Sequence, residues 1–387
     1  MRKYRWTAAL VIVALIVTVV AAGCAKKEDA SEPIKIGVIA PLTGTLQFEG
    51  QQQLNGVKMA VDEVNKAGGI NGRLITVIAE DSKGNATDAA SAAEKLITKD
   101  KVTILQGAHM TTLTKAVMPI LQKYGVAMVE SVASVPELTD GSLPGSDYLY
   151  RVNPHAGMEA ASFATFLYNN LGIKKLAMLV LNDDWGHTNV KLYTDAYQKF
   201  GGSIVSTDYY TTGETNFLPV LTKIKNSDAD GLFLIAQAQD AAMIVKQARE
   251  IKYDKKIAGA GAFASDTFIR LAGKDADGIY GVVPYAATVD NPVNKAFVDA
   301  YKAAYPKMPT PDKYAAMSYM AGKVMLAAIQ AAGSSDPAKV KAALDKVSVE
   351  GVTGTTAFDE HHQAHTDIYI TVIDNGAIKI VQAIPTK

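Results

Sequence analysis

Two short stretches concentrate hydroxyls in a pattern that could hold a small anion. The first is Gly107-Ala108-His109-Met110-Thr111-Thr112, which follows an apolar run and opens a helical pattern. Free backbone N–H groups at a helix start favour an anion, and a hydroxyl there can cap the helix or meet a ligand. The second is Ser131-Val132-Ala133-Ser134-Val135-Pro136-Glu137. Ser134 and Glu137 have the S-x-x-E spacing of a capping box, with Pro136 tolerated in the first helical turn. Two such starts at neighbouring strand ends could grip one carboxylate, and two plain caps would have the same spacing. His109 could donate to that carboxylate or simply pack beside Met110. Ser134 with His109 is the nearest pair to a nucleophile and its base, but no third, orienting group is visible. The pattern points to binding without catalysis, so neither an enzyme activity nor a cofactor is expected.

Other residues carry less. Trp185 sits among Asn182, Asp183, Asp184 and Gly186, a strand-end composition that favours a lid over a cleft against a core position. Gly259-Ala260-Gly261-Ala262 lacks the spacing of a dinucleotide fingerprint and reads as backbone approaching a cleft. His361, His362 and His365 lie beside Asp359 and Glu360. Two imidazoles four residues apart bind zinc when helical, but these fall in a turn, and no metal site is expected. Tyr209, Tyr210 and Tyr285 suit either a pocket or the surface.

The N-terminus sets the compartment. Arg2, Lys3 and Arg5 precede an apolar run from 8 to 22, and Ala21-Ala22-Gly23 leads into Cys24. This reads as a signal peptide over 1–23, its apolar run shorter than a spanning helix prefers. Cys24 is the only cysteine in 387 residues, which rules out an intramolecular disulfide. Its place after Ala-Ala-Gly suits a lipobox, in which the thiol is diacylated and becomes the anchor. Residues 24–33 are small and charged, a flexible tether. Of the 39 basic residues, three lie in the leader, leaving 36 against 39 acidic ones. That near balance gives no reason to expect nucleic acid. A monomer, held at the cell envelope and facing periplasm or exterior, is expected.

The body alternates apolar strand and amphipathic helix. Strands are expected over 34–42, 73–81, 102–107, 126–131, 175–181, 203–209, 231–237 and 256–260, with helices behind them over 54–64, 86–99, 111–124, 156–170, 186–200, 216–226 and 239–252. Such alternation implies parallel sheets with right-handed crossovers. After 278–285 the chain turns helical over 292–305, 311–332 and 336–347. It ends in a hairpin around Asp374-Asn375-Gly376. The predicted fold class is α/β: two doubly wound parallel-sheet lobes joined by a three-crossover hinge. Residues 34–153 with 286–357 form one lobe, and 154–285 with 358–387 the other. Crossings are expected at 148–154, 278–285 and near Phe358-Asp359. Hinged lobes close around ligands.

Several segments carry a family resemblance. Ile36-Gly37-Val38-Ile39-Ala40-Pro41-Leu42-Thr43-Gly44 resembles the opening strand of the leucine/isoleucine/valine-binding proteins, type I periplasmic binding proteins of ABC importers. Asn65-Lys66-Ala67-Gly68-Gly69-Ile70-Asn71-Gly72, Val135-Pro136-Glu137-Leu138-Thr139 and Lys246-Gln247-Ala248-Arg249 are similar to further family segments. The resemblance runs from Ile34 to the end. It implies Thr111 as the hydroxyl gripping the ligand, Ser134 and Val132 as a second hydroxyl and backbone group, and Trp185 as aromatic cover. It also implies Tyr314 as a pocket wall and a contact near Phe48 or Glu49. The chain departs from the branched-chain binders at two places. Gln237 stands where they have tyrosine, and Gly261 where they have the glutamate that pairs with the ligand ammonium. An ammonium buried without its counter-charge would cost several kcal/mol. Asp184, Asp240, Asp266 or Glu49 could substitute; otherwise the ligand lacks an α-amino group.

The expected function is thus capture of a small amino acid or related carboxylate or amide, and its delivery to the membrane subunits of an ABC importer. A sensor of the same fold feeding a signalling partner is the alternative. A secreted hydrolase using Ser134, or a sugar binder, fits the hydroxyl pairs less well.

Overall fold

The structure, a computed structural model, describes residues 32–308 and 310–386. The expected signal peptide, Cys24 and most of the expected tether lie outside them. Pro33 to the C-terminus forms one compact unit.

The apolar runs become strands of two separate sheets. β1 (Ile34–Ala40), β2 (Ile75–Asp81), β3 (Leu105–Gln106), β4 (Met128–Glu130) and β5 (Leu149–Arg151) lie in the order 2-1-3-4-5, all parallel. β6 (Lys175–Leu181), β7 (Ser203–Tyr210), β8 (Gly231–Ala236), β9 (Lys256–Gly261) and β10 (Tyr280–Val283) repeat that order as 7-6-8-9-10. A short hairpin, β11 (Ser348–Gly351) and β12 (Gly354–Ala357), stands apart. The C-terminal hairpin, β13 (Ile368–Asp374) and β14 (Ala377–Ile384), adds two antiparallel strands beside β10. The inner strands β1, β6 and β8 are buried and apolar almost throughout, whereas the flanking strands β2, β7 and β14 are partly exposed and more polar. In both halves the order reverses beside the first strand of the half, and such switch points are where open parallel sheets bind ligands.

The chain leaves the small sheet after β5, returns after β10, and leaves again after β12. On its return, helices Pro292–Ala304 and Lys313–Ala332 complete the small-sheet lobe. Lys313–Ala332 packs against Gln47–Lys66 so closely that a Cβ at Gly56 would lie 2.1 Å from the Ala315 carbonyl oxygen. Two expected crossings shift: 149–151 and 280–283 are strands of the sheets, because each run is apolar enough to pair, and the connections follow them. Helix Asp266–Ala272 and the β11–β12 hairpin were not expected.

The first and third crossings run side by side. The Arg151 N–H donates to the His362 carbonyl at 2.9 Å, and the Ala364 N–H to the Arg151 carbonyl at 2.8 Å. The buried Arg151 guanidinium donates to Gln363 Oε1 at 2.6 Å, the Val135 carbonyl at 2.6 Å and Thr139 Oγ1 at 2.9 Å. Burial pulls it down to about 10, opposed by nearby carboxylates. The histidine cluster belongs to this hinge. His362 stacks on Tyr150 with centroids 4.0 Å apart, and His365 Nε2 lies 2.9 Å from Asp359 Oδ2.

Candidate functional site

The carboxyl ends of both sheets face one cleft. From the small-sheet lobe come His109, Met110 and Thr111 after β3, and Val132 and Ser134 after β4. Glu130 ties these two strand ends together. Its carboxylate accepts from the Ala108 N–H (2.9 Å), Thr114 Oγ1 (2.6 Å) and the N–H groups of Ser131, Val132 and Ala133 (2.9, 2.8 and 3.1 Å). Burial pushes this carboxyl up, and those five donors favour its charge.

Neither helix start is capped as its sequence suggests. Helix Thr111–Tyr124 begins at Thr111, and Met110 before it provides no side-chain cap. The Thr111 hydroxyl is buried without a partner, and Thr111 lines the cleft. The capping box at Ser134 is absent. The residue before a proline is pushed out of the helical region, so Val135 is extended (φ −67°, ψ 137°) and becomes the boundary of a single turn, Pro136–Leu138. Ser134 keeps its hydroxyl free of that turn and lines the cleft.

His109 is fully committed to the protein on one edge. Its Nδ1 lies 3.0 Å from Gln53 Oε1. Gln53 Nε2 donates to Gln106 Oε1 at 3.1 Å, and Gln106 Nε2 to Ser131 Oγ at 2.8 Å. Gln53 Oε1 can only accept, so His109 carries its proton on Nδ1 and keeps Nε2 as an acceptor. Its ring stacks on Tyr314 at 5.4 Å. Burial, with Lys313 adding to it, pulls the imidazole down to about 3. A neutral ring in this tautomer accepts from a ligand N–H and does not donate to a carboxylate. It is also a poor base for Ser134, to which no hydrogen bond joins it.

The large-sheet lobe supplies Asp183, Trp185, Gln237 and Gly261. Asp183 caps helix Asp184–Lys199, accepting from the Gly186 N–H at 2.7 Å, and so fixes Trp185 in the first turn. Gly261 ends β9 with φ +97°, and a Cβ there would lie 2.9 Å from Trp185 Cη2. The indole therefore covers the glycine backbone where a side chain would otherwise project.

Two charged residues in the cleft were not anticipated. Glu159, 8% exposed and with no hydrogen bond to its carboxylate from the described residues, comes from helix Ala156–Asn169. Burial pushes it up to about 7, against the pull of Lys313 and Arg151. Lys313 opens helix Lys313–Ala332 and donates to the Gly261 carbonyl at 2.5 Å. Burial pulls its ammonium down, opposed first by Glu159. No ion pair within 4.0 Å joins the two among the described residues. A lone acid in an otherwise apolar helix was the only hint of Glu159, and nothing local marked Lys313. The four acids considered as substitutes lie elsewhere. Asp184 pairs with Lys115 at 2.9 Å on the rim, Asp240 accepts from the Tyr210 hydroxyl at 3.3 Å, and Asp266 lines a separate cavity. Glu49 lines a cavity next to the cleft, and Phe48 lines neither. Among the described residues no group of three or more His, Cys, Asp or Glu could hold a metal ion.

The cleft is closed. Lys115–Asp184, Lys313 to the Gly261 carbonyl, and Gln239 Nε2 to the Thr45 carbonyl (2.6 Å) all cross it. The space left among the head-group residues is about 50 Å³. Among the described residues no helix is long and apolar enough to cross a membrane.

Comparison with known proteins agrees with this architecture. A family model described as periplasmic binding protein matches residues 33–377. The leucine-, isoleucine-, valine-, threonine- and alanine-binding protein of Pseudomonas aeruginosa is 26% identical over 340 residues, covering 88% of this chain and 89% of that one. The Leu/Ile/Val-binding protein of Escherichia coli K12 is 24% identical over 331 residues, covering 85% and 88%. The crystal structure of the substrate-binding protein LivJ from Streptococcus pneumoniae, in complex with isoleucine, is 31% identical. It superposes with a TM-score of 0.84 over 91% of this chain and 99% of that one. A Rhodopseudomonas palustris solute-binding protein in complex with benzoate, 21% identical, shares the fold at a TM-score of 0.84 over 92% and 97%. With a family model over residues 33–377 and relatives matched along most of its length, the chain belongs to the leucine/isoleucine/valine-binding protein family of periplasmic binding proteins.

Proposed function

We propose that this protein is the substrate-binding lipoprotein of an ABC importer, anchored through Cys24, which closes on a small α-amino acid and presents it to the membrane subunits. The observation that carries the reading is the buried, partnerless Thr111 hydroxyl at an uncapped helix start. A buried donor left unmade costs about 1–3 kcal/mol, and a ligand carboxylate removes that cost. The free N–H groups of the same helix start and the Ser134 hydroxyl add donors of the right sign.

The ammonium end meets Glu159, which supplies the charge that Gly261 lacks, and the His109 Nε2 acceptor. Trp185 and Tyr314 close over the ligand and exclude water, which strengthens every polar contact inside. The lobes 34–153 with 286–357 and 154–285 with 358–387 move as the two rigid bodies, turning about the paired crossings at Arg151 and Gln363. Lys313 then latches the cleft through the Gly261 carbonyl.

The test is isothermal titration with a panel of α-amino acids, aromatic and aliphatic carboxylates and amides. In the Thr111→Ala, Ser134→Ala double variant the best ligand should weaken by roughly 3 kcal/mol. Unchanged affinity would remove these hydroxyls from the site. A response confined to carboxylates without an amino group would remove Glu159 from it.

A further inference from the structure

The ligand space does not end at the head-group residues. Met110 and Gln237 also line a second cavity, of about 240 Å³, held between the same two lobes. It is several times the space left around Thr111. Leu46, Met110 and Met243 form apolar walls. The Gln239 side chain closes the rim by donating to the Thr45 carbonyl. Valine or leucine held at Thr111 would leave much of this cavity unfilled.

Three carboxylates line the cavity. Glu49 lines it, is 2% exposed, and its Oε2 has no hydrogen-bond partner. Burial pushes this carboxyl up, opposed by the Thr267 hydroxyl nearby and by the charges of Arg270 and Lys313, neither of which makes an ion pair with it within 4.0 Å. Asp240 and Glu214 line the same cavity from the other lobe. The one basic residue in the lining, Lys83, is exposed and already lies 3.4 Å from Asp88. Apolar walls beside a buried carboxylate with one unpartnered oxygen are complementary to an aliphatic chain with a cationic end.

We propose that the ligand is an α-amino acid with an extended side chain ending in a cation, its head at Thr111 and its tail at Glu49. This rests on the head-group assignment made above and adds the class of side chain. The aliphatic stem passes between Met110 and Met243, and the terminal donor supplies the partner that Glu49 Oε2 lacks.

The experiment compares L-lysine with L-norleucine, which carries the same unbranched four-carbon stem without the terminal ammonium. Titration calorimetry on the purified protein should find lysine bound at least roughly ten-fold more tightly. In Glu49→Gln that advantage should fall to within about three-fold, and Asp240→Asn, a milder change at the partly exposed side of the cavity, should reduce it in part. Norleucine binding as well as lysine would overturn the proposal, as would an advantage that survives both substitutions. Failure of the head-group assignment would look different: the lysine advantage would persist while Thr111→Ala left both affinities unchanged. Binding of neither amino acid would overturn both readings.

Discussion

Removing the charge from Glu159 should abolish a pH dependence that wild-type binding must show. Within the cleft, burial raises this carboxyl to about 7, opposed by Lys313 and Arg151; Tyr193 also faces it. An ammonium placed beside it requires the carboxylate, so binding releases a proton wherever the empty site is protonated. For a value of about 7, roughly a tenth of the sites would be ionised at pH 6.0 and roughly three quarters at pH 7.5. Affinity should therefore rise roughly eight-fold across that interval. Titrations in two buffers of different ionisation enthalpy would count the released proton directly. Glu159→Gln should flatten the profile and weaken binding at pH 7.5 by roughly 3 kcal/mol, the cost of an ammonium left without a counter-charge.

The same shift has the opposite sign for stability without ligand. The folded protein holds the Glu159 proton more tightly than the unfolded chain does. This group's stabilising contribution is complete below the ordinary glutamate range and is lost as pH rises through about 7. The loss is at most about 3 kcal/mol. Glu159→Gln should therefore be more stable than wild type at pH 7.5 without ligand, and less stabilised by it. A flat wild-type affinity profile, or an equal slope in the glutamine variant, would show that the ligand ammonium does not sit at Glu159.

Gly261→Ala should lower affinity by about 1–3 kcal/mol, because its Cβ meets the Trp185 ring and the φ of +97° strains any side chain. Truncating the ring as well, in the double variant with Trp185→Ala, should cost less than the sum of the two single changes. Arg151→Met should lower unfolding stability by roughly 3–5 kcal/mol in denaturant titrations, since Gln363, Val135 and Thr139 lose their common partner. Cys24→Ser should release the protein from membranes in fractionated cells; retention in the membrane fraction would rule out the lipid anchor.

Much of the fold is legible in the sequence because its elements are set by local pattern. The apolar run at 175–181 and the amphipathic stretch at 111–124 become a strand and a helix with the same bounds. The repeated strand order is not local. It follows from which crossover packs on which face, and the apolar runs carry no record of that. The hinge shows the intermediate case: an extended run at 149–151 reads as a linker until β4 is present to pair with it.

The site divides along the same line. Thr111 and Ser134 are visible because strand ends and helix starts are local features. The capping box fails because the X-Pro restriction at Val135 outweighs a favourable spacing. Glu159 and Lys313 come to one cleft only when helices from opposite lobes close on one another, so apart from the lone acid in an apolar helix neither has a local signature. The glycine at 261 is the most informative case. Alone it reads as a missing carboxylate and suggests a ligand without an ammonium. Paired with Trp185 it is a seat for an indole, and the helix 156–169 brings a different carboxylate, Glu159, to the cleft. A charge absent from one strand end is compatible with the same ligand chemistry when another element of the same lobe can bring a carboxylate to the cleft. That is the reason to seek the ligand among amino acids first.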